Sequence, residues 1–171
     1  MAIKQVGIAA VASTGVITKA ELDGAMSYTV LASDVVNNNA TANTIADVTA
    51  LSFPVISGLS YYFKFSISYT AAATTTGSRW CLNGPTTTAL RYRSEYTLTA
   101  STRTLNEAQT AYNLPAASNA TSGAILSNLA VIEGFITPSA NGIVIARFAS
   151  AILSSAITAK AGSFVQFKRV L

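Results

Sequence analysis

Tyr61-Tyr62-Phe63-Lys64-Phe65-Ser66-Ile67-Ser68-Tyr69, residues 61–69, alternates bulky apolar and polar side chains almost without a break. Successive side chains of an extended chain point to opposite faces. Tyr61, Phe63, Phe65, Ile67 and Tyr69 therefore share one face, and Tyr62, Lys64, Ser66 and Ser68 share the other. A helix would scatter both sets around its circumference, so the stretch reads as a strand with one side in a core. Residues 90–98 repeat the period, with Leu90, Tyr92, Tyr96 and Leu98 set against Arg91, Arg93, Glu95 and Thr97.

Working outward, further strands are expected at 28–33, 46–55, 78–82, 129–137, 142–148 and 164–171. They are separated by turn-forming residues at Ser57-Gly58, Asn83-Gly84-Pro85, Pro138–Gly142 and Ala161-Gly162-Ser163. Asn141-Gly142 accepts positive φ readily and marks the best candidate for a tight hairpin. Many short strands punctuated in this way predict an all-β, antiparallel sandwich or barrel. Its core is expected to hold Phe63, Phe65, Ile67, Tyr92, Tyr96, Val131, Phe135, Val144, Phe148, Val165 and Phe167. Residues 104–112 and 123–130 are the two places where a short helical turn fits the pattern.

The chain has 171 residues, enough for one domain with a sizeable core, and half of them are apolar. Only 11% are charged; solubility rests on Thr, Ser and Asn. A surface this poor in charge suits burial in an assembly, because interface cores are depleted in charged groups. The net charge of +4 comes from dispersed basic residues and few acids. No contiguous basic footprint for nucleic acid is expected. No apolar run reaches the length of a membrane-spanning helix.

Residues 1–25 carry Ile3, Val6, Ile8, Val11, Val16 and Ile17 without a helical period. They are expected to be an arm that orders against a partner, with an edge strand of the sandwich as the alternative. The sandwich itself is expected over residues 26–171.

The chemistry of catalysis is thinly represented. Histidine is absent, and the seven carboxylates are scattered apart from Glu21 and Asp23, so neither a triad nor an acid/base pair is expected. Cys81 is the only cysteine, which excludes an intramolecular disulfide and any cysteine metal cluster. Flanked by Trp80 and Leu82, it reads as a small buried side chain. No cofactor and no enzymatic activity are expected. Tyr62, Arg79, Trp80 and Arg91 are the residues best able to stack on and hydrogen-bond to a sugar or a neighbouring subunit, with a core position as the other reading of Trp80. The run Asn37-Asn38-Asn39 reads as a polar loop or as amide contacts across a close interface.

Residues 42–85, 90–101 and 132–171 together resemble a β-rich module of tailed-bacteriophage structural proteins. The most specific stretches are Thr74–Trp80 (TTTGSRW), Arg93–Thr97 (RSEYT) and Ile157–Gly162 (ITAKAG). The resemblance implies a jelly-roll sandwich similar to trimeric tumour-necrosis-factor-like domains, used in head decoration proteins and fibre tips. It implies a homotrimer on the outer surface of a phage head, with the major capsid protein as partner and residues 1–25 as the attachment arm. The alternative it implies is a receptor- or glycan-binding tip of a tail or head fibre, with a host surface glycan as partner. No shaft, heptad region or collagen-like repeat precedes the module in this sequence, which favours decoration over a long fibre.

Overall fold

The strand read at residues 61–69 lies at the middle of the larger of two sheets. The computed structural model describes residues 4–7 and 25–170. Among them the regular elements are all strands: β1 (Lys4–Gly7), β2 (Met26–Val30), β3 (Val35–Asn37), β4 (Ala46–Val55), β5 (Tyr61–Ala71), β6 (Ser78–Asn83), β7 (Thr87–Thr97), β8 (Arg103–Gln109), β9 (Asn128–Pro138), β10 (Gly142–Ser150), β11 (Ile157–Ala159) and β12 (Phe164–Arg169). The large sheet runs β1-β2-β12-β5-β9-β7-β8, with β11 bridging β5 and β3; the small sheet runs β4-β10-β6. Every pairing is antiparallel. β12 is an interior strand, between β2 and β5.

The two sheets face each other across one aromatic core. Phe53 of β4 stacks on Phe167 of β12 with ring centroids 4.7 Å apart, and lies 5.7 Å from Phe63 and 6.0 Å from Phe65 on β5. At the other end of the core, Trp80 of β6 stacks on Phe148 of β10 at 5.2 Å and meets Tyr69 of β5 at 4.9 Å. A strand whose burial alternates at every residue, as β5 does from Tyr61 to Ala71, has one face in this core and one outside it. The polar atoms that this end of the core encloses bond to one another: Trp80 Nε1 donates to Ser78 Oγ, which donates in turn to Tyr69 Oη.

Of the expected core, Phe63, Phe65, Ile67, Tyr92, Tyr96, Val144, Phe148, Val165 and Phe167 are buried. Val131 and Phe135 are not: Val131 is half-buried and Phe135 is 56% exposed. The inward residues of β9 are Ala130, Ile132, Gly134 and Ile136. A register error of one residue moves every side chain to the opposite face. The odd-numbered row includes Glu133, which a dry core would leave uncompensated, so that row faces out.

Three further expectations are corrected. Residues 104–112 do not form a helix; 103–109 are β8, an edge strand paired with β7. Residues 123–127 are an irregular connection and 128–130 open β9. Asn141-Gly142 is not a tight hairpin, because β9 and β10 belong to different sheets and neither residue has positive φ. The segment is a crossover, secured where Asn141 Oδ1 accepts from the Ser57 amide at 2.8 Å and Pro138 carbonyl accepts from the Gly58 amide at 2.8 Å.

Within residues 1–25, the described stretch Lys4–Gly7 pairs with β2 at the edge of the large sheet. Ile3, Ile8, Val11, Val16 and Ile17 lie outside the described residues, as does Leu171.

Candidate functional site

The outer face of the large sheet gathers side chains from five neighbouring strands. Register places Gln166, Lys64, Glu133 and Arg93 in one row across β12, β5, β9 and β7. An adjacent row holds Lys168, Tyr62, Phe135 and Arg91. On the other side of the charged row lie Phe164, Ser66, Val131 and Glu95. Tyr62 lies 5.5 Å from Phe135, and Tyr28 of β2 lies 6.3 Å from Phe164. Aromatic surface interleaved with arginine is the composition of interface hot spots.

Glu133 organises the centre of this face. Its carboxylate accepts from Tyr62 Oη at 2.6 Å and from Arg93 Nη2 at 3.1 Å. The Tyr62 hydrogen bond, and then that from Arg93, hold the Glu133 carboxyl below its ordinary range. Partial burial, followed by the neighbouring carboxylate, pushes the Tyr62 phenol up to about 12. A depressed carboxylate pKa contributes stability above its unfolded value, near 4.3, and that contribution is lost as pH falls through the folded value. Wild type and Glu133→Gln are therefore expected to differ in urea midpoint at neutral pH and to converge between about pH 5 and pH 3, measured by circular dichroism.

Beside this trio, Tyr62, Arg91, Arg93, Glu107, Glu133 and Phe135 line an open groove of about 500 Å³. It opens where β8 diverges from β7 through a register shift between Tyr92 and Ser94, with Ala108 at φ 53°. Arg91 has no hydrogen-bond or ion-pair partner among the described residues. A second concavity of about 310 Å³ lies between the β7–β8 turn and residues 123–127. Hydroxyls in its lining are bonded internally, as Thr99 Oγ1 is to Thr102 Oγ1 at 2.6 Å and Thr97 Oγ1 is to the Leu129 carbonyl at 3.3 Å.

Two of the four sequence-derived contact residues, Tyr62 and Arg91, thus come together at one groove. The other two do not join them. Trp80 has no exposed surface and Arg79 is 6% exposed. Tyr61 and Tyr69 are also buried, so they belong to the core and not to an interface.

Arg79 instead fastens the long connection between β8 and β9 to the small sheet. Its guanidinium donates to the Ala116 and Pro115 carbonyls and, at 2.9 Å, to the Asn43 carbonyl. Arg147, in an ion pair with Asp47 at 2.6 Å, donates to Asn113 Oδ1 at 2.8 Å on the same connection. Tyr92 Oη donates to the Leu114 carbonyl at 2.6 Å. Removing the guanidinium leaves three part-buried hydrogen bonds unmade, so Arg79→Met is expected to cost about 2 kcal/mol in urea unfolding. Arg79→Lys should recover little of this, since one ammonium cannot reproduce the planar fork.

Cys81 is buried beneath the same connection, and desolvation pushes its thiol up to about 11, which suits an inert core residue. Among the described residues, no group of three or more Cys, Asp or Glu is placed to hold a metal, and no helix is long and apolar enough to cross a membrane. No protein family matches this chain, and no curated protein sequence matches it.

Phe135, Arg93 and Glu133 are the site residues that sequence reasoning missed. The signal was present: a glutamate midway along the odd-numbered row of β9 marks that row as wet and places Phe135 outside.

Proposed function

We propose that the protein is a structural component of a phage virion: a homotrimer that decorates the outer surface of the head and reinforces the shell. The observation that carries the trimer is the outer face of the large sheet. There Phe135, 56% exposed, sits beside Tyr62 and Arg91, whose guanidinium has no partner among the described residues. Burying such a face against copies of itself removes apolar area from water and gives the arginine a partner. The chain's alternation between the sheets from β4 to β7, with β4 and β6 in the small sheet and β5 and β7 in the large one, and its return to the small sheet at β10 support the jelly-roll reading. Decoration of a head rests on the sequence resemblance, with the major capsid protein as partner.

Sedimentation at micromolar concentration tests the assembly. Wild type is expected to run as a trimer and Phe135→Glu as a monomer with an unchanged circular dichroism spectrum. A wild-type monomer would overturn the trimer. Co-pelleting with empty heads lacking this protein tests decoration.

The groove also supports a second reading, a glycan-binding fibre tip. An exposed aromatic and a free guanidinium side by side suit a saccharide carrying a carboxylate. Retention of an acidic glycan by wild type and not by Arg91→Ala, with no binding to heads, would establish it in place of decoration.

A further inference from the structure

β8 is the last strand of the large sheet, and among the described residues no strand pairs with its far side. Its ladder with β7 runs on from the turn, where the Leu98 amide donates to the Thr102 carbonyl, through Tyr96 opposite Thr104 to Ser94 opposite Asn106. Main-chain groups along an antiparallel pair alternate in direction. Thr104 and Asn106 therefore bond to β7, while the amides and carbonyls of Arg103 and Leu105 point away from the sheet. The Glu107 carbonyl is also outside the ladder, accepting from the Gln109 side chain at 2.7 Å. The side chains of Arg103, Leu105 and Glu107 are all exposed, Leu105 to 53%. The edge of the small sheet at β6 is different: the Asn113 amide donates to the Leu82 carbonyl and the Asn119 amide to the Ser78 carbonyl, so a connection covers it.

Open edges are ordinarily guarded by charges that repel a second strand, by Pro, or by bulges. The register shift of this edge lies beyond Asn106, and its charges are of opposite sign. Arg103 and Glu107 stand at equal distances on either side of Leu105. A two-fold axis at Leu105 sets an identical strand antiparallel to this one, with Leu105 opposite Leu105 and Arg103 opposite Glu107 at both ends. That register also aligns the free main-chain groups: Leu105 meets Leu105, and the Arg103 amide meets the Glu107 carbonyl in place of the Gln109 side chain. Slipping by one residue opposes free groups to groups already bonded to β7, and slipping by two sets Leu105 against a charge. Arg103 pairs through Nε with Glu95 at 3.1 Å, and its guanidinium has donors enough for a second carboxylate. Glu107 faces Arg93, which is itself bonded to Glu133.

We infer that the protein self-associates through β8, edge to edge with a second copy of this chain, joining two large sheets into one. The contact is isologous: the same residues are contributed from both sides. It is separate from the outer-face contact proposed above and does not rest on it, because a strand edge and a sheet face can be occupied together. One strand buries less than a standard interface, so the dissociation constant is expected on the order of 100 µM. Assemblies formed through the sheet face stay apart at micromolar concentration and join through β8 as concentration rises.

Sedimentation equilibrium of the full-length chain from about 10 µM to about 1 mM spans that constant. Phe135→Glu, which removes the outer-face contact, is expected to pass from monomer to dimer over this range. In that background, Arg103→Glu and Glu107→Arg each set like charges opposite one another at both ends of the pairing, and each is expected to weaken association about 10-fold. An equimolar mixture of the two restores opposite charges at both ends and is expected to dimerise as tightly as the parent, which a folding defect in either variant would not allow. Hydrogen exchange of the Leu105 amide should slow as the dimer forms, while that of Thr104 and Asn106, already bonded to β7, stays as it was. A parent that does not associate at the top of the range overturns the inference and leaves the trimer standing. A mixture no tighter than either variant alone, or protection that appears elsewhere and not at Leu105, assigns association to another surface and also overturns it.

Discussion

Gly134→Ala is expected to destabilise the fold by about 3 kcal/mol, an overpacking cost at the upper end of the usual range, although it adds a single methyl group. Gly134 occupies an inward position of β9 opposite Phe63 on one side and Tyr92 on the other. A Cβ there would lie 2.2 Å from the Arg91 carbonyl oxygen and 2.6 Å from Tyr92 Cβ. The first of these is backbone held in the β7–β9 ladder, so relief requires the two strands to separate locally. Gly58→Ala provides the contrast. Its φ is +78° and nothing lies within 4 Å of the added methyl, so only the left-handed conformation is penalised, at about 1 kcal/mol. Urea midpoints of the two variants measure the difference. Equal losses would show that β7 and β9 adjust freely around residue 134.

The sheet centre was the most legible part of this sequence, because alternation is unambiguous when both rows are chemically pure. In residues 61–69, one row is apolar throughout and the other is polar apart from Tyr62, so β5 and its buried face follow directly. β9 offers two mixed rows. Leu129, Val131 and Phe135 make the odd row the more hydrophobic despite Glu133, while the true core row is diluted by Ala130 and Gly134. Gly134 lies between Phe63 and Tyr92, and Ala130 between Ile67 and Tyr96, large side chains that fill the space from neighbouring strands, and a single sequence does not reveal which strands are neighbours.

The short elements were hidden for a related reason. β3 and β11 have three residues each, too few to display a period, and their pairing is decided by contacts distant in sequence. β8 contains Leu105, Glu107 and Ala108, which suit a helix; its pairing with β7 overrides that local preference. The candidate surface divided along the same line. Tyr62 and Arg91 lie on outward rows of strands whose alternation was readable. Arg79 and Trp80 lie on β6, where every residue from Ser78 to Leu82 is buried, because one face meets the core and the other is covered by the connection between β8 and β9. Nothing in the residues of β6 announces a cover supplied by a segment thirty-odd residues further along the chain.

Trp80 is the residue on which the core and ligand readings diverge most, and it is the only tryptophan in the chain. Its indole stacks on Phe148, tilts against Tyr69 and donates to Ser78 Oγ at 3.1 Å, with no surface open to solvent. Trp80→Ala is expected to cost about 3 to 5 kcal/mol and to lower the melting temperature by roughly 10 °C. Trp80→Phe keeps most of the packing and loses the indole donor, so it should recover the larger part of that stability. The wild-type protein supplies an independent readout, since its tryptophan fluorescence reports on one site. Emission should be characteristic of an apolar setting, resist quenching by iodide, and remain unchanged when any saccharide binds at the Tyr62–Arg91 groove. A quenchable emission, or a saccharide that shifts it while Trp80→Ala stays fully folded, would return Trp80 to the surface and refute its place between the two sheets.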